Sequence, residues 1–272
     1  MKNIFAKILF FALVVCTISC KKTAAKEEKN KIFQNSKENF VFIDSLRVRD
    51  SVQINKNLRA LYDEGLLVFP NLRDKRLLDS LYFFAGNKIK DYSYGGLKSY
   101  LEQDKKEYFE GIEKTEKEWR DDLTSGQEWF QNFRMKKKLL TRNFLHIEYY
   151  TYSYEGGAHG NYAFYDRVFD LKNKKRIGLD EITSLPKRDL QKLLKKNVIK
   201  ASNGKGSEIR DALLVEEIPT TQNFFFDKEN LYFHYSPYEI AAYAVGDVVI
   251  PISWDELGNS LDPDFAKKLK NF

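Results

Sequence analysis

The sequence predicts an α+β fold: a largely antiparallel sheet with flanking helices, in two sub-domains. Three observations carry this. Predicted strands outnumber predicted helices, and successive strands over residues 128–171 are joined by short turns. Sixteen Tyr and 21 Phe against 3 Trp and 2 Met mark a strand-rich core. With 272 residues, 43% of them hydrophobic, the chain has apolar content enough to fold; 6 Pro and 14 Gly are too few for a collagen-like or linker-dominated chain. No internal repeat and no parallel βαβ series is evident.

From the N-terminus, Lys2 and Lys7 precede an uninterrupted apolar run, Ile8–Val15, followed by Thr17-Ile18-Ser19-Cys20. A basic start, a short apolar stretch and small residues before a Cys make an export signal. From Ile8 to Ile18 the run is far too short to span a bilayer, which takes about 20 residues. The arrangement resembles a bacterial lipoprotein signal, which implies that residues 1–19 are removed and that Cys20 is lipidated and becomes the first residue. Cys16 and Cys20 are the only cysteines, so the processed chain forms no disulfide. Residues 20–37, charged and nearly free of large apolar side chains, are expected to be a flexible tether.

Residues 38–140 read as an N-terminal α+β domain. Phe40–Ile54 alternates as one or two strands. Lys56–Leu67 and Asp74–Phe84 are expected to be short helices, with Pro70 between them. Ser93–Gly96 is expected to be a turn, and Leu97–Leu123 a long helix with a narrow apolar stripe and abundant Glu–Lys pairs at i,i+4. Glu128–Leu140 is a strand.

Residues 141–272 read as a second domain. Asn143–Tyr154 alternates cleanly, with Phe144, His146, Glu148, Tyr150, Tyr152 and Tyr154 on one face. The loop Gly156-Gly157-Ala158-His159-Gly160 leads to a strand over Tyr162–Leu171, and residues 172–175 form a hairpin turn. Helices are expected over Leu179–Leu185 and Lys187–Ser202, a loop over Ser202–Gly206, and a hairpin from Phe224–Phe226 and Leu231–Tyr235. Val248–Ser253 is a last strand, placed at an edge by Pro251, and Trp254–Phe272 a closing helix.

The formal charge is +6 and includes Lys2 and Lys7, so the processed chain carries about +4. Residues 20–140 hold 25 Lys and Arg against 20 Asp and Glu; residues 141–272 hold 18 against 19. An exported chain with no recognisable binding motif is not expected to meet nucleic acid. Weak attraction to anionic surfaces suits the basic excess better.

No catalytic set is visible. The chain lacks a G-x-S-x-G elbow, a P-loop and an HExxH. Its three His are scattered and no Cys pair remains, so neither a metal nor a cofactor is expected. His159, in a glycine-rich turn, is the sharpest candidate: it suits a general base oriented by Glu155 or Asp166, or a turn residue bonded to a loop carbonyl. His146 and His234 are expected to be packed among aromatic residues. The loop Ser236–Gly246 combines Pro237, Tyr238, Glu239 and Tyr243, with Glu239 expected to be partly desolvated. The ligand-binding candidates are Tyr154, Gly156, Gly157, His159, Asn161, Pro237, Tyr238, Glu239 and Tyr243.

Residues 152–161 (YSYEGGAHGN), Phe169-Asp170-Leu171 and Leu179–Ile182, then residues 231–246 (LYFHYSPYEIAAYAVG) and Val249–Ile252, resemble the RsiV-like family. This is the C-terminal domain of lysozyme-sensing anti-sigma factors and of PdaC-type deacetylases. The resemblance covers about residues 143–257 and implies an extracytoplasmic α+β fold that binds lysozyme. The expectation is therefore an envelope lipoprotein, lipid-anchored at the outer membrane, acting as a non-catalytic binding module for a lysozyme-like protein or a cell-wall fragment such as a peptidoglycan piece. The alternative is an enzyme acting on peptidoglycan or polysaccharide, or its accessory subunit, with His159 and Glu239 as base and acid.

Overall fold

A computed structural model describes residues 41–119, 126–201 and 206–270. The expected signal, Cys20 and the tether lie outside these residues, as does most of the Ser202–Gly206 loop.

Strand β1 (Asp44–Gln53) pairs antiparallel with β2 (Leu58–Val68). The turn between them is fixed by Asn55, whose Oδ1 accepts the N–H groups of Asn57 and Leu58 at 2.6 and 3.0 Å, a side chain standing in for backbone. β2 replaces the helix expected over Lys56–Leu67. Its Leu, Arg, Ala and Glu favour helix, but Leu58, Ala60, Tyr62, Glu64, Leu66 and Val68 are all buried. That period of two belongs to a central strand with neighbours on both sides, where tertiary pairing overrides local preference.

Helix α1 (Lys75–Leu81) starts at Asp74, whose carboxylate accepts the Leu77 N–H at 3.1 Å. Helix α2 (Tyr94–Trp119) begins inside the stretch expected to be a turn. Ser93 Oγ accepts the Gly96 N–H at 3.1 Å and Ser93 O accepts the Leu97 N–H at 2.9 Å, so Ser93 is an N-cap and the two glycines lie in the first turn. The helices carry the chain across the sheet, and β3 (Gln127–Leu140) therefore runs parallel to β2. This is the one parallel pair among the described strands. β4 (Phe144–Tyr154), β5 (Asn161–Asp170) and the short β6 (Lys175–Arg176) follow antiparallel, completing a six-stranded sheet in chain order. It runs through the β3–β4 turn at residues 140 and 141 without a break.

The second sheet is antiparallel, with β7 (Phe224–Phe226) and β9 (Val248–Ser253) flanking β8 (Asn230–Tyr235). Pro251 lies on the edge strand β9, where its missing N–H costs no ladder bond. Helix α3 (Lys187–Asn197) buries Leu190 and Leu194 as its apolar stripe predicts, and α4 (Gly206–Asp211) follows it. The helix expected over Leu179–Leu185 is only a 3-10 turn, Leu179–Glu181, after which Thr183 forms a bridge with Leu261. The closing helix is interrupted. α5 (Trp254–Leu257) stops at Gly258, with φ of +51°, and α6 (Pro263–Leu269) restarts behind the Asp262 cap with Pro263 in its first turn. Among the described residues no helix is long and apolar enough to cross a membrane.

Two apolar cores result. The first lies between one face of the large sheet and helices α1 and α2, and includes Tyr62, Leu81, Leu97, Leu101, Ile147 and Tyr149. The second takes Phe144 and Val168 from the opposite face and surrounds them with Leu190, Leu194, Phe226, Phe233, Ile250 and Phe265. Alternation along β4 thus sends odd residues to one core and Phe144 to the other.

Candidate functional site

The even-numbered face of β4 changes character along its length. Phe144 is buried in the second core and His146 is buried beside it, while Tyr150, Tyr152 and Tyr154 are half-exposed. Neighbouring strands extend this aromatic strip: Phe130 of β3 stacks on Tyr152 at 4.7 Å, and Phe164 of β5 lies 5.0 Å from Tyr150. The strip leads to the loop joining β4 to β5.

That loop turns on Gly156 and Gly157, whose φ angles are +92° and +94°, a conformation that glycine adopts without steric cost. The Tyr154 hydroxyl donates to Gly157 O at 3.0 Å. Gly160 is required for space, since a Cβ there would sit 2.3 Å from Tyr152 Oη and 2.8 Å from Ser153 O. Asn161 opens β5, exposed and opposite Ser153. His159 is displayed at the surface, its Nδ1 3.0 Å from Gly160 O. A carbonyl only accepts, so Nδ1 carries a proton, and in the neutral ring Nε2 offers its lone pair.

The second loop, residues 236–246, meets that lone pair. Tyr238 Oη lies 3.2 Å from His159 Nε2, and the Tyr243 ring stacks on the His159 ring at 3.7 Å and 13°. Tyr162 packs edge-on against Tyr243 at 5.7 Å. Tyr238 is 57% exposed with φ of +69°, a left-handed conformation that costs an ordinary L-residue about 1–2 kcal/mol. Gly246, at φ of +84°, closes the loop. Glu239 is exposed rather than desolvated, and its carboxylate accepts the Ser236 N–H at 2.8 Å. Pro237 precedes Tyr238, half-buried.

Beneath the loops runs a buried polar chain. His146 Nε2 lies 2.5 Å from Asp166 Oδ1, His234 Nδ1 lies 2.6 Å from Asp166 Oδ2, and His234 Nε2 lies 3.2 Å from Asp247 Oδ2. His146, Asp166 and His234 are 3%, 2% and 4% exposed. Burial alone would push the His234 imidazole down, but hydrogen bonds and charge from Asp166 and Asp247 prevail and hold it at about 9. Asp166 is held below the usual carboxylate range: burial opposes this, and the two imidazoles outweigh it. The His234 hydrogen bond lowers Asp247 likewise. Phe225 stacks on His146 at 5.0 Å and Phe164 on His234 at 4.8 Å, covering the two imidazoles.

Side chains also cap the edge of β5 where β6 no longer covers it. Ser236 Oγ accepts the Phe164 N–H at 2.9 Å, and Asn223 Oδ1 accepts the Asp166 N–H at 2.5 Å. Asn223 Nδ2 donates to Phe164 O and His234 O, both at 2.8 Å.

The structure thus gathers Tyr154, Gly156, Gly157, His159, Tyr238 and Tyr243 at one surface and turns Glu239 to its own loop. Asp166 does not orient His159, because both its oxygens are taken by His146 and His234; the orienting group is Gly160 O. Tyr162 and Asp247 were not among the sequence candidates, and Asp166 and His234 were named only as an orienter of His159 and as a packed residue. One signal was available: residues 143–166 and 229–266 contain no Lys or Arg, an unusual gap in a basic chain, and the two gaps supply both loops. Among the described residues no cluster of three or more His, Cys, Asp or Glu is placed to hold a metal.

Fold and site together define an α+β domain that displays an acidic, aromatic loop pair at the end of its large sheet. Residues 170–255 match the family described as Protein of unknown function (DUF3298), so the chain carries a DUF3298 domain over that stretch. The whole fold is similar to the crystal structure of a DUF3298 family member from Bacteroides fragilis, with a TM-score of 0.67 and 25% identity over 85% of this chain and 96% of that one. It is also similar to a DUF3298 family protein from Pseudomonas aeruginosa, with a TM-score of 0.53 and 16% identity over 84% of this chain and 97% of that one; this second likeness is one of fold. No curated protein matches the chain.

Proposed function

We propose that this protein is a lipid-anchored envelope protein of the RsiV-like kind, whose C-terminal half is a non-catalytic binding module for a basic, lysozyme-like protein. The observation that carries the reading is the meeting of the two loops, with Tyr238 bonded to His159 Nε2 and Tyr243 stacked on its ring. Interfaces draw most of their energy from a few aromatic anchors, and Tyr238 is held exposed in a strained conformation, as functional positions often are. The charge fits as well. Glu155 and Glu239 are exposed, and neither loop segment contains a Lys or Arg, so a cationic partner meets complementary potential although the chain as a whole is basic.

The enzymatic alternative has weaker support. His159 Nε2, the lone pair a base needs, already faces the Tyr238 hydroxyl, and Glu239 bonds its own turn.

Isothermal calorimetry with a basic lysozyme and with muropeptides tests the reading. Lysozyme is expected to bind, more weakly as salt rises, and Tyr238→Ala is expected to cost about 2 kcal/mol, roughly thirtyfold in affinity. Muropeptide binding instead would move the ligand to the cell wall, and binding of neither would overturn the proposal. For the anchor, Cys20→Ser is expected to release the protein from the membrane fraction; unchanged partitioning would refute lipidation.

A further inference from the structure

The binding site is assembled from two sheets. His159 hangs from the β4–β5 loop of the large sheet, whereas Tyr238 and Tyr243 hang from the β8–β9 loop of the small one. Whatever sets one sheet against the other therefore decides whether the halves of the site meet. At this junction Asn223 and Ser236 bond the β5 backbone, and the buried charged link is Asp166 of β5 with His234 of β8, at 2.6 Å. The other ring nitrogen of His234 reaches Asp247, the residue directly after the loop that carries Tyr238 and Tyr243. We propose that His234 is the positioning residue of the site: as an imidazolium shared by Asp166 and Asp247, it joins the two sheets and fixes the end of the Tyr238 loop, so that Tyr238 and Tyr243 meet His159. This rests on the reading of those loops as a binding site.

The chemistry is specific to the charged ring. An imidazolium donates through both nitrogens, one to each carboxylate; a neutral imidazole donates through one and turns a lone pair on the other carboxylate. Asp166 is buried and receives a second bond from His146, whereas the Asp247 side chain is 38% exposed, so deprotonation releases Asp247 first. Its release loosens the loop end beside Gly246 and Tyr243, which the Asp247 backbone bond to Tyr162 still holds to β5. The charged and titratable groups facing His234 are Asp166 of β5 and Asp247 ahead of β9, with His146 of β4 beyond Asp166 and Tyr162 of β5 beyond Asp247; Glu148, further along β4, is neutralised by Lys138 at 2.8 Å.

The chain has three His, so selective ring-15N labelling of the full chain gives a spectrum of three residues. His234 is expected to show two imidazolium nitrogens at pH 7 and to titrate near 9, with the His159 signals shifting at the same midpoint. Asp247→Asn removes one carboxylate and is expected to move both midpoints down together. Tyr162 lies beside Asp247 and packs on Tyr243, so the titration is repeated in Tyr162→Phe, where the linked His234 and His159 midpoints are expected to persist. Thermal melts at each pH confirm that the chain is folded. His159 signals that ignore the His234 titration, or midpoints that separate in Asp247→Asn, would overturn the proposal. Calorimetry with a basic lysozyme separates the two readings: linked midpoints without lysozyme binding would uphold the positioning role and sink the ligand assignment.

Discussion

Two of the buried polar clusters among the described residues reach opposite electrostatic outcomes. In the first core, Glu64 is 5% exposed and accepts Gln131 Nε2 at 2.6 Å, while Asp104 accepts the Tyr62 hydroxyl at 3.1 Å. Among the described residues no Lys or Arg bonds either carboxylate: Lys88 pairs with Glu107, Lys105 with Asp50 and Glu102, and Arg134 with Asp63. Burial therefore dominates, pushing Glu64 up to about 7 and Asp104 upward as well. Between the sheets, by contrast, Asp166 and Asp247 have imidazole partners and are held low. At Glu64 and Asp104 the neutral donors only soften the cost of burying a carboxylate, whereas at the junction the opposite charge reverses it.

Each side of the contrast can be broken. The largest effect is expected from Asp166→Ala, which strands two buried imidazoles and should cost about 3–5 kcal/mol in urea unfolding at pH 7. A loss below 1 kcal/mol would mean that the chain contributes little to stability. Next is Glu64→Gln, of opposite sign. The folded pKa of Glu64, about 7, lies above its unfolded value of 4.5, so its contribution is intact below pH 4.5 and is lost as pH rises through 7. The variant should therefore gain about 2–3 kcal/mol at pH 8 and little at pH 4, and an equal gain at both would contradict the assignment. The junction loses stability at both ends of the pH range. His234 stabilises fully below its unfolded value of 6.5 and stops doing so as pH passes about 9, whereas Asp166 and Asp247 stabilise above about 4 and cease to below it.

Smaller effects belong to the loops. Gly160→Ala forces a Cβ against Tyr152 and the Ser153 carbonyl, and should destabilise by about 1–3 kcal/mol; a neutral result would show that the aromatic strip yields easily. Smallest is Tyr238→Gly, which relieves the left-handed strain and should stabilise by up to about 1 kcal/mol while weakening binding as much as Tyr238→Ala does. Loss of both would show that Tyr238 is placed for the fold instead.

Legibility in the sequence followed from how local each determinant is. β4 and β5 were readable because their aromatic alternation is itself the cause of their pairing, and the β7–β8 hairpin and edge strand β9 were readable from short apolar runs and a Pro. β2 was not: Leu58–Val68 is written in helix-forming residues and becomes a strand through neighbours β1 and β3, the second about 70 residues distant. Ser93 looked like turn chemistry because a cap and a turn use the same residue. At the site, the glycine-rich loop and the Pro237–Gly246 segment stood out by composition, but their meeting did not, since His159 and Tyr238 are 79 residues apart. For the same reason His146 and His234 read as packed residues. They are buried, and their partner Asp166 is 20 and 68 residues away.

The central claim is that the two loops act as one binding surface. A double-mutant cycle of His159→Ala and Tyr238→Ala, read by calorimetry against a basic lysozyme, tests it most directly. The account predicts that each single substitution weakens binding and that the pair is non-additive by about 1 kcal/mol or more. Additive losses, or affinity untouched by either substitution, would contradict it.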